Sequence, residues 1–247
     1  MKHSLALLAL LALPYYLHLQ AGSLTGTIQA RGKTENSESA GKYDSRKFKF
    51  IERVNYEALR DFVVYVEGTS LANTSTNETP TPPLDPSTFV PIPAKIFTKK
   101  LVSQKGAVFS PHINPIIRGA SIEWPNEDEI FHNVFSISEA KEFDLGLYKK
   151  PDIKKVVFDK LGRVDVFCSI HSTMNCVVLV LPNKYFSVTD SKGRYLIPDL
   201  APGKYEIRVW HERLPSLRRT VTIIDSKETN INFVLGPGGM TKVGSEL

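Results

Sequence analysis

The sequence predicts an all-β protein made of two consecutive β-sandwiches. Helical periodicity is scarce along its 247 residues, and most segments are short runs of β-branched and aromatic residues between turn residues. Near Pro182 a longer first unit gives way to a shorter second one. Short strands joined by regular turns are typical of a sandwich or barrel, so we expect one sandwich at residues 22–181 and a smaller one at 182–235.

The first unit contains most of the predicted strands. The clearest covers residues 61–67, where a β-branched and aromatic run ends at Gly68. A single helical turn is predicted at 56–60, and the N-terminal strands are expected to complete the sandwich formed by the later ones. The other strands of this unit are predicted at 24–30, 48–53, 95–103, 107–110, 115–117, 120–124, 134–138, 155–158, 162–168 and 176–181.

The second unit is predicted to contain five short strands. Turns that begin near Asp190 and Ala201 separate the first three of them. Residues 236–247 follow the last strand and are predicted to form a loose tail. The strands are predicted at 187–189, 194–198, 204–210, 218–224 and 229–235.

The N-terminus has the layout of a secretory signal peptide. A basic Lys2 precedes residues 4–19, which are almost all apolar, and Ala21 offers a small residue for cleavage. The run is short for a membrane span and is interrupted by Pro14. We therefore expect residues 1–21 to be a signal peptide and the mature protein to be periplasmic or otherwise exported. Membrane association is expected only if this segment stays uncleaved.

Composition narrows the possible partners and functions. The formal net charge is +5, and the Lys and Arg residues are scattered rather than interleaved with aromatic residues, so no nucleic-acid partner is expected. The sequence contains no nucleophile elbow, phosphate-binding loop or dinucleotide fingerprint, and no second cluster of histidines. We therefore do not expect an enzyme. Residues 69–93, rich in Thr, Ser, Asn and Pro, are predicted to be a solvated, mostly disordered insertion.

The two cysteines, Cys168 and Cys176, are not expected to form a disulfide. On continuous β-like sequence, cysteines eight positions apart lie beyond the Cα separation that a disulfide tolerates. Cys168 therefore requires another role. For Cys176 two interpretations stay open, a buried inert cysteine or a second thiol near a metal.

A cluster of metal-ligand side chains follows the strand predicted at 162–168. Cys168, His171 and Met174 are each three residues apart, and a tight loop with this spacing can turn all three side chains toward one point. Upstream, His132 lies beyond a polar turn. Two imidazoles, one thiolate and a weak thioether form the trigonal site with a long axial ligand that favours copper in electron transfer. Zinc is the main competitor, but it rarely binds methionine and only one thiolate is present in this set.

Cys-x-x-His-x-x-Met after an upstream His-Asn resembles the copper loop of the cupredoxins, and its short length is similar to that of amicyanin. Phe-His-Asn-Val-Phe-Ser and the stretch at 143–148 also resemble bacterial plastocyanin-like proteins labelled methylamine-utilisation proteins. The resemblance covers roughly residues 95–181 and implies a Greek-key β-sandwich.

The same resemblance implies the roles of individual residues. His132, Cys168 and His171 would be the equatorial ligands of one type 1 copper ion, and Met174 would be the axial ligand. Asn133 would form a hydrogen bond to the loop that carries the cysteine. His112 lies outside the family pattern and is expected at the surface.

The second unit resembles the small transthyretin-like, or carboxypeptidase regulatory-like, β-sandwich. The resemblance rests on Asp-x-x-Gly-x-Tyr at 190–195 and Ala-Pro-Gly-Lys-Tyr at 201–205, which are turn motifs without chemistry. Trp210-His211-Glu212 invites a metal interpretation, but Pro215 stands where a zincin motif needs its second histidine. His211 and Glu212 are therefore expected to have structural roles.

The cupredoxin resemblance implies a one-electron carrier that exchanges electrons with redox partner proteins. The exposed edge of His171 would be the electron port. Two other functions stay open at this point: a copper storage or delivery protein, and a non-redox β-sandwich interaction protein.

Overall fold

The computed structural model describes residues 21–32, 54–69 and 99–236. Within them every regular element is a β-strand except one 3-10 turn at Tyr56–Ala58, which confirms the all-β prediction. No helix in this part of the chain is long and apolar enough to cross a membrane. Several predictions fall wholly or almost wholly outside the described residues: the signal peptide at 1–21, the strand at 48–53, the insertion at 69–93 and the tail at 236–247.

Ten strands between residues 99 and 181 form a central sandwich. They are β3 (Lys99–Leu101), β4 (Ser103–Gln104), β5 (Phe109–Ser110), β6 (Ile113–Ile117), β7 (Ser121–Pro125), β8 (Phe135–Ser138), β9 (Lys141–Asp144), β10 (Ile153–Val157), β11 (Gly162–Phe167) and β12 (Asn175–Leu181), numbered after the two strands β1 (Gly22–Ala30) and β2 (Val63–Thr69) that precede them. One sheet has the order β6-β12-β11-β8-β9, the other has the order β10-β7-β3, and β4 pairs with β5 as a short ribbon. Strands β12 and β6 are parallel, whereas β11 is antiparallel to both of its neighbours.

The core of the central sandwich lies between its two sheets. Ile122 and Trp124 of β7 pack in one buried cluster with Val164 and Val166 of β11 and with Val178 of β12. Strand β9 is the one strand of this sandwich with no counterpart among the predicted strands. It pairs only with β8, at the edge of its sheet, and its alternating half-buried and exposed residues include three charged ones. A charged, exposed strand is typical of a sheet edge.

The remaining strands form a second sandwich, called here the flanking sandwich. One sheet has the order β14-β1-β17, with β18 also paired to β1, and the other has the order β13-β2-β15-β16. The strands are β1 (Gly22–Ala30), β2 (Val63–Thr69), β13 (Phe186–Val188), β14 (Arg194–Leu200), β15 (Gly203–His211), β16 (Leu214–Ile223), β17 (Glu228–Asn230) and β18 (Phe233–Leu235).

The predicted assignment of residues 22–181 to one sandwich is wrong for the strands predicted at 24–30 and 61–67, which are β1 and β2 of the structure. Strand β1 pairs with β14, β17 and β18, and β2 pairs with β13 and β15, so both belong to the flanking sandwich. Leu24 and Ile28 of β1 are buried against Ile197 and Phe233, which explains this placement. A side chain at Gly26 would collide with the carbonyl of Ile231, so β1 fits closely beside the segment that leads into β18. The central sandwich is therefore inserted between β2 and β13.

The two sandwiches share an apolar interface. Strand β12 is buried on both faces, because Val178 and Val180 belong to the central core while Val177, Leu179 and Leu181 face the flanking sandwich. Strand β2 is buried in the same way, with Val64 and Val66 in the flanking core and Val63 and Tyr65 in the interface. Ile113 and Trp210 complete the interface. Strands buried on both faces have continuous apolar runs, as these two do.

Because the interface side chains are buried, we predict that they contribute to the free energy of unfolding of the protein. Leu179→Ala is expected to lower the free energy of unfolding by about 2–5 kcal/mol, because it removes a buried side chain and leaves a cavity. Urea denaturation followed by tryptophan fluorescence measures the change. Ile137→Ala is the control, because Ile137 is 77% exposed and its loss should change stability by less than about 0.5 kcal/mol. A loss below about 1 kcal/mol for Leu179→Ala would contradict the interface.

Candidate metal centre

The loop between β11 and β12 carries three of the predicted ligands. Cys168 follows β11 directly, and Met174 immediately precedes β12. Two backbone hydrogen bonds close the loop: Met174 N donates to His171 O at 3.0 Å, and Cys168 N donates to Met174 O at 3.1 Å. The antiparallel pairing of β11 with β12 brings the two ends of the loop together, so its side chains converge at one end of the central sandwich.

His132 reaches the same end of the sandwich from the segment before β8. Its backbone pairs with that of Tyr148, since His132 N donates to Tyr148 O at 3.1 Å and Tyr148 N donates to His132 O at 2.9 Å. Tyr148 is itself fixed, because its hydroxyl donates to Trp124 O at 2.8 Å in the core. The position of His132 is therefore set by main-chain contacts as well as by its side chain.

The structure brings His132, Cys168 and His171 together. One ligand atom from each lies within 4.8 Å of the other two. The Cys168 Sγ atom is 3.9 Å from His171 Nδ1, and the two imidazole rings lie edge to face with centroids 4.9 Å apart. Within the part of the chain that the structure describes, this is the only group of three such residues. An ion between the three donor atoms would contact each of them after a small adjustment.

The hydrogen bonding of His132 indicates which of its ring atoms is free for a metal. Its Nε2 atom lies 2.8 Å from the Asp128 carboxylate, a contact that the neutral ring makes by donating Nε2–H, which leaves the lone pair on Nδ1. His132 is completely buried, and Nδ1 has no hydrogen-bond partner. A buried, unpaired lone pair is costly unless something binds it. Its position beside a thiol and a second imidazole fits a metal ligand.

Asp128 acts as an anchor for His132. Its carboxylate accepts hydrogen bonds from Gly106 N at 2.7 Å and Ala107 N at 3.0 Å. Partial burial favours the uncharged carboxyl, but these bonds and the one from His132 outweigh it and lower the pKa of Asp128 to about 2. The carboxylate is therefore ionised at neutral pH and orients the imidazole, as carboxylates do behind metal-bound histidines.

Asn133 connects the two segments that supply the ligands. Its Oδ1 atom accepts hydrogen bonds from Ser169 N at 2.6 Å and from Ser169 Oγ at 2.8 Å. Because Ser169 follows Cys168, the amide next to His132 fixes the start of the cysteine loop. Met174 is 1% exposed and belongs to the same buried core cluster as Cys168.

Cys176 does not belong to the donor group. Both cysteines are free thiols, and Cys176 lies opposite Val166 in the core of the central sandwich. Burial strongly raises the pKa of the Cys176 thiol, so it stays protonated and is a poor metal ligand. Its position agrees with a buried inert cysteine.

His112 also lies outside the donor group, but it is not the simple surface residue that the sequence predicted. Its ring makes hydrogen bonds to Asn175 and Glu212, and 38% of its side chain is exposed. His211 is buried, stacks on Phe62 with ring centroids 4.8 Å apart and accepts a hydrogen bond from Arg213 N. It is a structural residue of the flanking sandwich.

Comparison with known proteins gives partial structural likenesses. No protein-family model and no curated protein matches the chain. A purple cupredoxin from Nitrosopumilus maritimus is 26% identical over 33% of this chain and 98% of its own, with a TM-score of 0.30. A mutant of amicyanin, in a reduced Cu(I) form at pH 4, is 20% identical over 33% of this chain and 81% of its own, with a TM-score of 0.32.

A copper-containing nitrite reductase from Thermus scotoductus is also similar. It is 23% identical over 35% of this chain, with a TM-score of 0.33, and the match spans only 23% of the enzyme's length. Each of these likenesses covers about a third of the chain. We therefore interpret the site from its own geometry.

Two contributors to the site were missed by sequence reasoning, Asp128 and Ser169. Asp128 lies in the polar turn that precedes His132, four residues before it, a spacing that a turn can close. Ser169 follows Cys168 directly, but its partner Asn133 is 36 residues away in the sequence. The contact of Asp128 with His132 was therefore visible in the local sequence, whereas the contact of Ser169 with Asn133 depends on the fold.

The anchoring role of Asp128 gives a testable prediction. Asp128→Ala should lower the affinity for Cu(II) by about 10–100-fold, because the imidazole loses the group that fixes its orientation and tautomer. Competitive titration against a chelator measures the affinity, and circular dichroism checks the fold. Glu129→Ala is the matched control, since this neighbouring carboxylate pairs with Lys150 at the surface. Equal affinities for the two variants would exclude the anchor.

Proposed function

We propose that this protein is an exported one-electron carrier that holds a single type 1 copper ion. The observation that carries the proposal is the buried, unpaired Nδ1 of His132 beside the donor atoms of Cys168 and His171. One thiolate and two imidazoles, with the Met174 thioether at the end of the same loop, suit copper better than other common metals. Zinc would prefer a fourth strong ligand, and within the described residues no further His, Cys, Asp or Glu joins the group.

The chain's own residues would hold such an ion in a fixed set of donors. Asp128 fixes His132, Asn133 fixes the start of the cysteine loop, and backbone bonds fix the Met174 end. Copper, when bound, would supply a reversible one-electron couple between Cu(II) and Cu(I). A donor set that changes little between the two oxidation states keeps the reorganisation energy low, which favours rapid electron exchange.

The surface beside the site supports docking of a redox partner. Phe131 and Ile170 each directly precede a histidine ligand and are about half exposed, at 49% and 50%. His171 is only partly buried, whereas His132 is completely buried, so the His171 edge is the nearer approach to the donor atoms. A small apolar surface around a partly exposed ligand fits a transient partner. We infer that partner proteins dock here and that the chain itself has no catalytic role.

Export is part of the proposal and rests on the N-terminal sequence. The basic and apolar pattern of residues 1–21 supports a signal peptide. A free thiol as a ligand is compatible with an oxidising compartment when it is buried and has no disulfide partner within reach, as for Cys168.

The two cysteines provide a direct test. Copper-loaded protein should show a strong thiolate-to-copper absorption band in the visible region, and Cys168→Ser should abolish it because the soft thiolate is lost. Cys176→Ala is the matched control and should keep the band, since that thiol lies outside the donor group. Absence of the band from the copper-loaded wild type, or its loss in Cys176→Ala alone, would refute the proposal.

Electron exchange between two copies of the protein tests the docking surface without a known partner. Ile170→Glu should slow self-exchange by about 10-fold, because two copies would then meet with like charges at their apolar surfaces. NMR line broadening in mixtures of Cu(I) and Cu(II) protein measures the rate. Ile224→Glu is the control, since Ile224 is 51% exposed but lies just beyond β16 in the flanking sandwich. Equal rates for both variants would place the electron port elsewhere.

Voltammetry separates a carrier from a copper storage or delivery protein. A carrier should give a reversible wave and keep its copper through repeated cycles, because the donors serve both oxidation states. A storage protein should instead release copper readily in one oxidation state. Loss of the wave within a few cycles would favour storage or delivery.

A further inference from the structure

Glu212, in the turn between β15 and β16 of the flanking sandwich, is linked through one side chain to β12, the strand that follows Met174. His112 makes the connection, since its ring contacts Asn175 O at 3.2 Å through Nδ1 and Glu212 Oε2 at 2.9 Å through Nε2. Asn175 is the residue after Met174, and Glu212 is 100 residues from His112 in the sequence. The two sandwiches are thus joined by a polar contact that lies next to the candidate metal loop.

Both atoms that face the His112 ring are hydrogen-bond acceptors. A backbone carbonyl has no proton to give, and an ionised carboxylate only accepts. Each ring nitrogen must therefore carry a proton for both contacts to be hydrogen bonds, and the ring is then an imidazolium cation. With only one proton, one of the two contacts would set a nitrogen lone pair against an oxygen atom.

We propose that His112 is a positioning residue through which the flanking sandwich holds the Met174 end of the cysteine loop. The two contacts of its ring, with Asn175 O and with Glu212, are called here the clasp, and the clasp is complete only when His112 carries two protons. The inference rests on the proposed function, because it assigns the clasp an effect on copper. It adds a role for the flanking sandwich, which otherwise contributes no ligand.

The main chain of His112 strengthens the clasp. Val177 N donates to His112 O at 2.8 Å, while the His112 ring binds Asn175 O. These contacts hold the first three residues of β12 at two points, Asn175 and Val177, on either side of Cys176. Met174, which immediately precedes this stretch, therefore has little freedom to move along the strand direction.

Charged side chains of the central sandwich also hold the turn that carries Glu212. The Glu212 carboxylate pairs with the ring, and the Arg163 guanidinium of β11 donates to Glu212 O at 3.1 Å. The guanidinium also lies over the Trp210 ring, 5.9 Å from its centroid, and pairs with Asp165 at 2.7 Å. His112 and Arg163, both from the central sandwich, thus form hydrogen bonds to Glu212 in the turn of the flanking sandwich.

Loss of the clasp should act on copper through Met174, which would be one of its ligands. The reduction potential and spectrum of a copper site with a thiolate and two imidazoles depend on its weak thioether ligand. Removal of the His112 ring contacts should therefore change the visible and paramagnetic-resonance spectra of the Cu(II) protein.

Two variants separate the proton from the clasp. His112→Ala removes both contacts, so its Cu(II) spectrum should differ from that of the wild type at about pH 5, and copper loss to a chelator should be about 10-fold faster. Glu212→Gln supplies an amide N–H that can donate to a singly protonated ring. This variant should keep the clasp, so its Cu(II) spectrum and its rate of copper loss should match those of the wild type.

Glu206→Gln is the control, because Glu206 is an exposed carboxylate on β15 that lies away from the clasp. It should behave as the wild type does. A His112→Ala spectrum and copper release that match the wild type would overturn the proposal. Glu212→Gln results that match those of His112→Ala would also overturn it, because the glutamine variant keeps both ring contacts.

A measurement on the metal-free, full-length protein is independent of the copper proposal. Nitrogen-15 NMR of the His112 ring should report two protonated nitrogens at about pH 5. One unprotonated ring nitrogen at that pH would refute the two-proton clasp, whether or not copper binds. Failure of copper binding with two protonated nitrogens would instead refute the proposed function and retain the clasp.

Discussion

Burial of β12 on both faces is the constraint on which the rest of the molecule depends. Its even-numbered residues build the core of the central sandwich, and its odd-numbered residues from Val177 onward build the interface with the flanking one. The strand also begins directly after Met174, so the packing of both sandwiches fixes where the cysteine loop, residues 168–174, ends. A slip of one residue would exchange the two buried faces and move the loop, which makes the register highly specified.

The candidate site depends on an unequal distribution of hydrogen-bond partners. Asp128 accepts from the Nε2 side of His132 and leaves Nδ1 with none, although the ring is completely buried. Around it, Asn133 accepts two bonds from Ser169, and the loop closes through its own backbone. The uncompensated group is therefore the Nδ1 lone pair of a ring that lies beside the thiol and the second imidazole.

The sequence predicted best what is local along the chain. The cysteine loop spans seven residues, so its spacing alone brings Cys168, His171 and Met174 near one point. The partners of β1 could not be predicted in the same way, because Leu24 pairs with Ile197 and Thr229 far along the chain, and strand patterns do not encode their partners. The apolar runs at β2 and β12 lacked alternation, and that lack was the local sign that both faces are buried. Asp128 was a local signal as well, hidden in a turn that looked ordinary.

The insertion of one sandwich into the other gives the flanking sandwich a mechanical role that its turn motifs do not suggest. Because β2 and β13 lie side by side, the chain leaves and re-enters the flanking sandwich at neighbouring strands. The interface beside these strands then fixes β6 and β12, the two parallel strands that support the end of the metal loop. A sandwich attached only by a linker could rotate away from its neighbour, whereas one held by an apolar interface and by polar contacts at His112 and Arg163 cannot do so without breaking them. The flanking sandwich thus constrains the cysteine loop through β12, the strand that follows this loop.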